Sequence, residues 1–284
     1  MKAKNYHGLI CQLKHDFVSG VLAGWRKVFP FIIIIVSLCV YLSYSCTELQ
    51  EMGLISTQPT TADTLVYVFR GMREFNPKTE LRFEIPIAWL MIQLYIAFVI
   101  GNYATQDMSG YGQQFLLRAT TKKQWLIGKC FFCITNVLAY YGIVYAVIIT
   151  YSVVTGNVSF TLTQDICGIM SEIDTSLFNT LSFILNIIVL PILTSIIMAL
   201  LQMLLSLHIK PTLSYAFVMV YQILSAYYVS YLLLGNYSMV LRCKPFLADG
   251  IDTLIALIIE TVVIVGIIFI GIVSIQKFDY IEKT

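Results

Sequence analysis

Glu260 lies deep inside a long apolar run, TLIALIIETVVIVGIIFIGIVSI, eight residues past Asp252, which is roughly 12 Å along a helix. A carboxyl group at such depth in a membrane costs on the order of 2.5–3.5 kcal/mol unless it meets a partner or a cavity. Two chemistries suit it: binding a proton or lining a polar substrate path, or bonding as a neutral acid to a neighbouring helix. Tyr145 and Tyr221 also fall within apolar runs, where a phenol needs a hydrogen-bond partner or a cavity. Glu260, Tyr145 and Tyr221 are the candidate substrate path, with tight helix packing as the competing reading.

Other catalytic signals are missing. His7, His15 and His208 all sit outside the apolar runs, so none can serve a nucleophile within a span. The sequence has no H-E-x-x-H zinc motif and no G-x-x-x-x-G-K-[ST] phosphate loop. Cys130 and Cys133 form a C-x-x-C inside an apolar run, where free cysteine behaves as a small hydrophobe. Cys46, Cys167 and Cys243 fall in or near segments outside the spans; seven cysteines in all leave any pairing open. The expectation is a chain that is not an enzyme, with no catalytic, metal or cofactor site. If ATP is used, another polypeptide hydrolyses it.

The elements that would carry these residues are membrane helices. Of 284 residues, 58% are hydrophobic and 12% charged, with a mean hydropathy of +0.80. Soluble domains carry about a quarter charged residues, so this balance excludes a nucleic-acid binder, a disordered chain and an ordinary cytosolic enzyme. About 20 apolar residues cross a bilayer as a helix, and the stretches 28–45, 85–105, 125–154, 179–207, 213–234 and 253–275 qualify. The expected fold is all-α and polytopic: one transmembrane domain over residues 1–284, with six spans and both termini on one side. Placing the termini in the cytoplasm gives the inner segments 12 basic and 4 acidic residues, and the outer segments 6 basic and 11 acidic. That asymmetry obeys the positive-inside rule.

Three further features frame the spans. Residues 6–27 read as an interfacial helix, with Ile10, Leu13, Phe17 and Val21 on one face, and no cleavable signal peptide is expected ahead of the first span. The large outer segment 46–84 holds Leu65, Val68, Phe69, Met72 and Phe75 at helical spacing after Asp63, a candidate N-cap. Either a short helix on the bundle or leaflet, or plain loop packing, fits that pattern. Pro191, with Asn186 before it, predicts a kink in the fourth span.

The segment between the second and third spans reads GNYATQDMSGYGQQFLLRATTKKQWLIGKC. Its glycines break the second helix; Gln113, Gln114, Phe115, Leu116, Leu117 and Arg118 form one short helical stretch; Thr121 and Gln124 make a capping box at the start of the third span. A short cytoplasmic helix beside a basic corner, Lys122 and Lys123, suits docking of a cytoplasmic partner.

Here the sequence resembles the ABC type-2 permease family of ATP-driven exporters. The matching residues are Asp107, Ser109-Gly110, Leu116-Leu117, Thr121-Lys122-Lys123, Trp125-Leu126 and Gly128-Lys129. Many members carry Pro just before the basic turn, where this chain has Thr120. The resemblance implies six spans, an N-terminal connecting helix and a coupling helix over Gln113–Arg118 seated in an ATPase subunit. It implies two permease chains, as a homodimer, on two ATPase subunits that hold the ATP and Mg. It further implies a bacterial plasma membrane location and export of an amphipathic substrate, a peptide or toxin, or immunity to one. The rival reading is a partner-free secondary transporter or channel that uses Glu260.

Overall fold

An apolar chain with no water to satisfy its backbone closes its own hydrogen bonds, and helices do this within one segment. The structure, a computed structural model, describes residues 25–75, 82–101, 103, 121–171, 173–177, 179–244 and 250–276. Eight helices account for most of them: α1 Trp25–Glu51, α2 Thr61–Phe69, α3 Ile87–Gly101, α4 Lys122–Thr155, α5 Gln164–Ser171, α6 Thr180–His208, α7 Pro211–Tyr227 and α8 Thr253–Gln276. Four of these, α1, α4, α6 and α8, are long and apolar enough to cross a membrane, as in a multi-pass membrane protein. The other two expected spans appear as helices of 15 residues, α3, and 17 residues, α7. At 1.5 Å per residue they cover about 22 and 25 Å, against a hydrocarbon core of about 30 Å. The expected interfacial helix 6–27 lies outside the described residues apart from 25–27, which belong to α1.

The centre of the bundle is α6, which packs against α3, α4, α7 and α8. Each helix turns one stripe inward. On α1 the stripe is Phe31, Ile35, Cys39, Leu42 and Cys46, all buried at spacings of three and four, while Phe29, Ile33, Val40 and Tyr44 face outward. On α8 the outward stripe is Leu254, Ile258, Val262, Val265 and Phe269. Exposed aliphatic faces on helices of this length are suited to lipid.

The segment 46–84 is more structured than a loop. Helix α1 runs on to Glu51, and α2 sits on the bundle with all nine residues buried, against α1, α3, α4 and α5. Its N-cap is Thr60 rather than Asp63. Asp63 is the third helical residue of a capping box, accepting from the Thr60 amide at 3.1 Å while the Asp63 amide donates to the Thr60 hydroxyl. Gly71, at φ +67°, ends the helical periodicity, so Met72 and Phe75 lie beyond the helix. The other carboxylate oxygen of Asp63 accepts from the Thr163 amide at 2.9 Å and the Cys167 thiol at 3.3 Å, tying α2 to α5. Burial, and then the neighbouring carboxylate, push the Cys167 thiol up, so it acts as a donor and not as a thiolate. Asp63→Ala would leave these donors without an acceptor and is expected to cost about 2–4 kcal/mol. The check is a thermal melt in detergent, in which Asp63→Asn, with one acceptor kept, should melt between the two.

The fifth expected span, 213–234, ends early. Helix α7 stops at Tyr227, and Tyr228 is extended. The chain then folds back into two 3-10 turns, Leu234–Ser238 and Val240–Arg242, whose residues are all buried. Tyr221 holds this return: its hydroxyl donates to the Leu232 carbonyl at 2.7 Å and accepts from the Leu234 amide at 3.0 Å. Apolarity carried the expectation past Tyr227; tertiary hydrogen bonding ends the helix there.

Candidate functional site

Two places carry the residues singled out above. The first is the start of α4. Thr121 caps it as expected: its hydroxyl accepts from the Gln124 amide, and Gln124 Oε1 accepts from the Thr121 amide, both at 3.3 Å. Lys122 and Lys123 occupy the first turn, where positive charge opposes the helix dipole by some tenths of a kcal/mol. One turn on, Trp125 and Lys129 are buried, with the Lys129 ammonium 4.8 Å from the Tyr103 ring centroid and 5.7 Å from that of Trp125. The stretch Gln113, Gln114, Phe115, Leu116, Leu117 and Arg118 lies outside the described residues.

The second place is a belt of polar side chains inside the bundle. Gln93 of α3, Tyr141 of α4 and Ser195 of α6 close a ring: Gln93 Nε2 donates to the Tyr141 hydroxyl at 3.2 Å, that hydroxyl meets Ser195 Oγ at 2.8 Å, and Ser195 donates back to Gln93 Oε1 at 2.7 Å. All three are buried. Beside the ring, Thr194 of α6 donates to Glu260 Oε1 of α8 at 2.5 Å. Glu260 is fully buried, and its Oε2 has no hydrogen-bond partner among the described residues. The buried amides of Gln202 and Gln222 are likewise without partners there. Unsatisfied polar atoms in a membrane bundle are expensive and are relieved when water or a ligand reaches them.

The belt is built around a break in α6. Residues Leu185–Val189, Asn186 among them, form a π turn that ends two residues before Pro191. Pro191 has no N–H for the carbonyl four residues back, and the Tyr145 hydroxyl donates to that carbonyl, of Ile187, at 3.3 Å. Asn186 gathers the Cys243 thiol at 2.9 Å and the Thr253 hydroxyl at 3.2 Å on its Oδ1. Thus Tyr145 and Tyr221 both satisfy backbone groups at places where a helix is interrupted, while Glu260 faces α6.

Cys130 and Cys133 are buried in the α4 packing, Cys133 against the Met203 sulfur at 3.6 Å. Cys46, Cys167 and Cys243 are free thiols. Among the described residues no group of three His, Cys, Asp or Glu side chains could hold a metal ion.

Sequence reasoning missed Arg242, which it counted only as a cation outside the spans. It is buried, and donates to the carbonyls of Met72 at 2.8 Å, Arg73 at 3.1 Å and Ala226 at 2.6 Å and to Asn236 Oδ1 at 2.9 Å. Burial pulls its guanidinium down to about 10, against the opposing pull of Glu74. A lone Arg in a short segment between two apolar runs gives no signal of this. The Gln93–Tyr141–Ser195 ring was also missed, although a polar residue inside each of three apolar runs is a signal that could have found it.

Residues 31–281 match the family model described as Protein of unknown function (DUF2705), and the chain belongs to that family. No curated protein and no solved structure matches the chain.

Proposed function

We propose that this DUF2705 family member is the membrane permease subunit of an ATP-driven exporter. In this reading α1, α3, α4, α6, α7 and α8 are the six spans, both termini are cytoplasmic, and residues 6–27 are an interfacial helix. The observation that carries the reading is the segment leading into α4: an acidic residue, Ser-Gly, Leu-Leu and a basic turn, joined to a helix start whose lysines work against the helix dipole. Gln113–Arg118 is the coupling helix, and Lys122 and Lys123 flank it as contacts for an ATPase subunit that supplies ATP and Mg.

Two permease chains pair as a homodimer on two ATPase subunits in the bacterial plasma membrane. ATP-driven closure of the ATPase pair shifts the coupling helices and switches the path between inward and outward access. The Gln93–Tyr141–Ser195 ring and Glu260, whose Oε2 has no hydrogen-bond partner among the described residues, are the surface that becomes wet when the bundle opens. An acidic outer surface and an aromatic interior suit a cationic amphipathic peptide or toxin. The test is ATP-dependent uptake of such a peptide into inside-out vesicles holding the permease and its ATPase. Uptake without ATP, driven by a proton gradient, would contradict the reading.

The buried Glu260 favours one second reading, a partner-free transporter or channel that uses this carboxyl. Glu260→Gln keeps the size and an acceptor for Thr194. It is expected to leave abundance and thermal midpoint nearly unchanged while lowering transport by about tenfold. Parallel loss of abundance and transport would assign Glu260 to packing.

A further inference from the structure

A groove of about 200 Å³ runs between the C-terminal halves of α6 and α8, walled by four leucines of α6 and three isoleucines of α8. Gly271 lines it as well. That residue is buried, and a Cβ there would lie 2.9 Å from the Leu204 side chain and 3.1 Å from that of Leu126. So α8 meets α6 and α4 as closely as a residue without a side chain allows. One position earlier, Ile270 lines the groove and is 64% exposed. The groove therefore reaches from the packed interior to the outer face of α8, beside its outward stripe. His208 and Ser274 are its two polar residues, with Nε2 and Oγ 2.8 Å apart, and α6 stops at His208. The space is aliphatic along its length and polar where α6 stops.

Water does not settle against such walls: an apolar cavity on the order of 150 Å³ stays dry and takes up benzene instead. Left empty, the groove would deprive its lining of contact atoms on one side and forfeit dispersion energy. A second helix, about 10 Å across, is too wide for it. Both walls belong to helices long and apolar enough to cross a membrane, and the groove opens onto the exposed aliphatic face of α8 that is suited to lipid. An acyl chain is slender, flexible and aliphatic, and it carries a polar ester at one end only. That is the order of polarity in the groove.

We propose that this groove holds one acyl chain of a membrane lipid, with the ester end at the His208–Ser274 pair. The site needs only the multi-pass fold and stands or falls separately from export. Because the chain leaves bulk lipid and not water, hydrophobic burial adds nothing to its retention. Packing alone holds it, and bulk placed inside the groove expels it.

The test uses the full chain in phosphatidylglycerol vesicles. The probe is phosphatidylcholine with a photoactivatable diazirine midway along one acyl chain, and labelled residues are mapped by peptide mass spectrometry. Label on residues 201–208 and 267–275 is expected to exceed that on residues 254–262 of α8 by about threefold. Ile270→Trp puts bulk at the exposed mouth and is expected to cut the groove label about threefold. Val262→Trp, outside the groove on the same helix and 64% exposed, is expected to leave it unchanged. Leu205→Phe fills the groove from α6; should either filling variant fold poorly, the other carries the test. Label spread evenly over the exposed apolar faces would overturn a held chain, as would groove label unchanged in folded filling variants. Equal loss in Val262→Trp would overturn the groove as its place.

Discussion

If the chain is the permease subunit proposed above, Leu116→Asp and Leu117→Asp are each expected to reduce ATP-driven export by at least about tenfold while the protein still folds and inserts. If Gln113–Arg118 is a coupling helix, Leu116 and Leu117 are its adjacent apolar residues, and they are the side chains that a cleft in the ATPase would bury. A carboxylate forced into such a contact loses the apolar burial and adds an unpaired charge, together about 2–4 kcal/mol or more. The consequence is expected to be confined to the contact, because the six apolar runs read as spans do not include residues 113–118. Vesicle transport and ATPase pull-down read the effect, and permease abundance and melting read the control. Unchanged transport and ATPase binding in both variants would remove the coupling role from this helix.

Arg242→Ala is expected to be the most damaging single substitution for the fold, at about 3–5 kcal/mol. One guanidinium joins the turn after α2, the C-terminal end of α7 and the first 3-10 turn through four hydrogen bonds. Truncation strands three carbonyls and the Asn236 amide oxygen in a buried site, and each such group costs about 1–3 kcal/mol when left unmade. Arg242→Lys should recover only part of the loss, because an ammonium cannot span acceptors arranged around a planar fork. Thermal melts and protease resistance in detergent measure both variants. A melt of Arg242→Ala equal to that of the parent would show that the segment between α7 and α8 is held by apolar packing alone.

What the sequence discloses and what it hides divide along physical lines. The long helices were legible because apolarity sustained over 20 residues leaves the backbone no other choice; α8 was read as 253–275 and is found at Thr253–Gln276. The capping box at Thr121 was legible because its two partners are three residues apart. Thr60 was overlooked in favour of Asp63, since both residue types cap helices and only the fold shows which amide each one meets. The end of α7 was hidden, because Tyr221 bonds to a segment 11 and 13 residues further on. Asn186 and Pro191 marked the place in α6 where the π turn falls, whereas the bond from Tyr145 to the Ile187 carbonyl depends on how α4 packs. Glu260 stood out by its isolation among Ile, Val and Leu, and its neighbour Thr194 could come only from the fold.

Co-purification tests the exporter reading most directly. The tagged protein would be extracted from its native membrane in mild detergent, and the proteins that remain with it identified and counted. A stoichiometric ATPase subunit, one per permease chain, with vanadate-sensitive hydrolysis stimulated by amphipathic peptides, is the expected result. A permease that purifies without an ATPase, and transports in vesicles without ATP, would contradict export by an ATP-driven pair and move Glu260 to the centre of the mechanism.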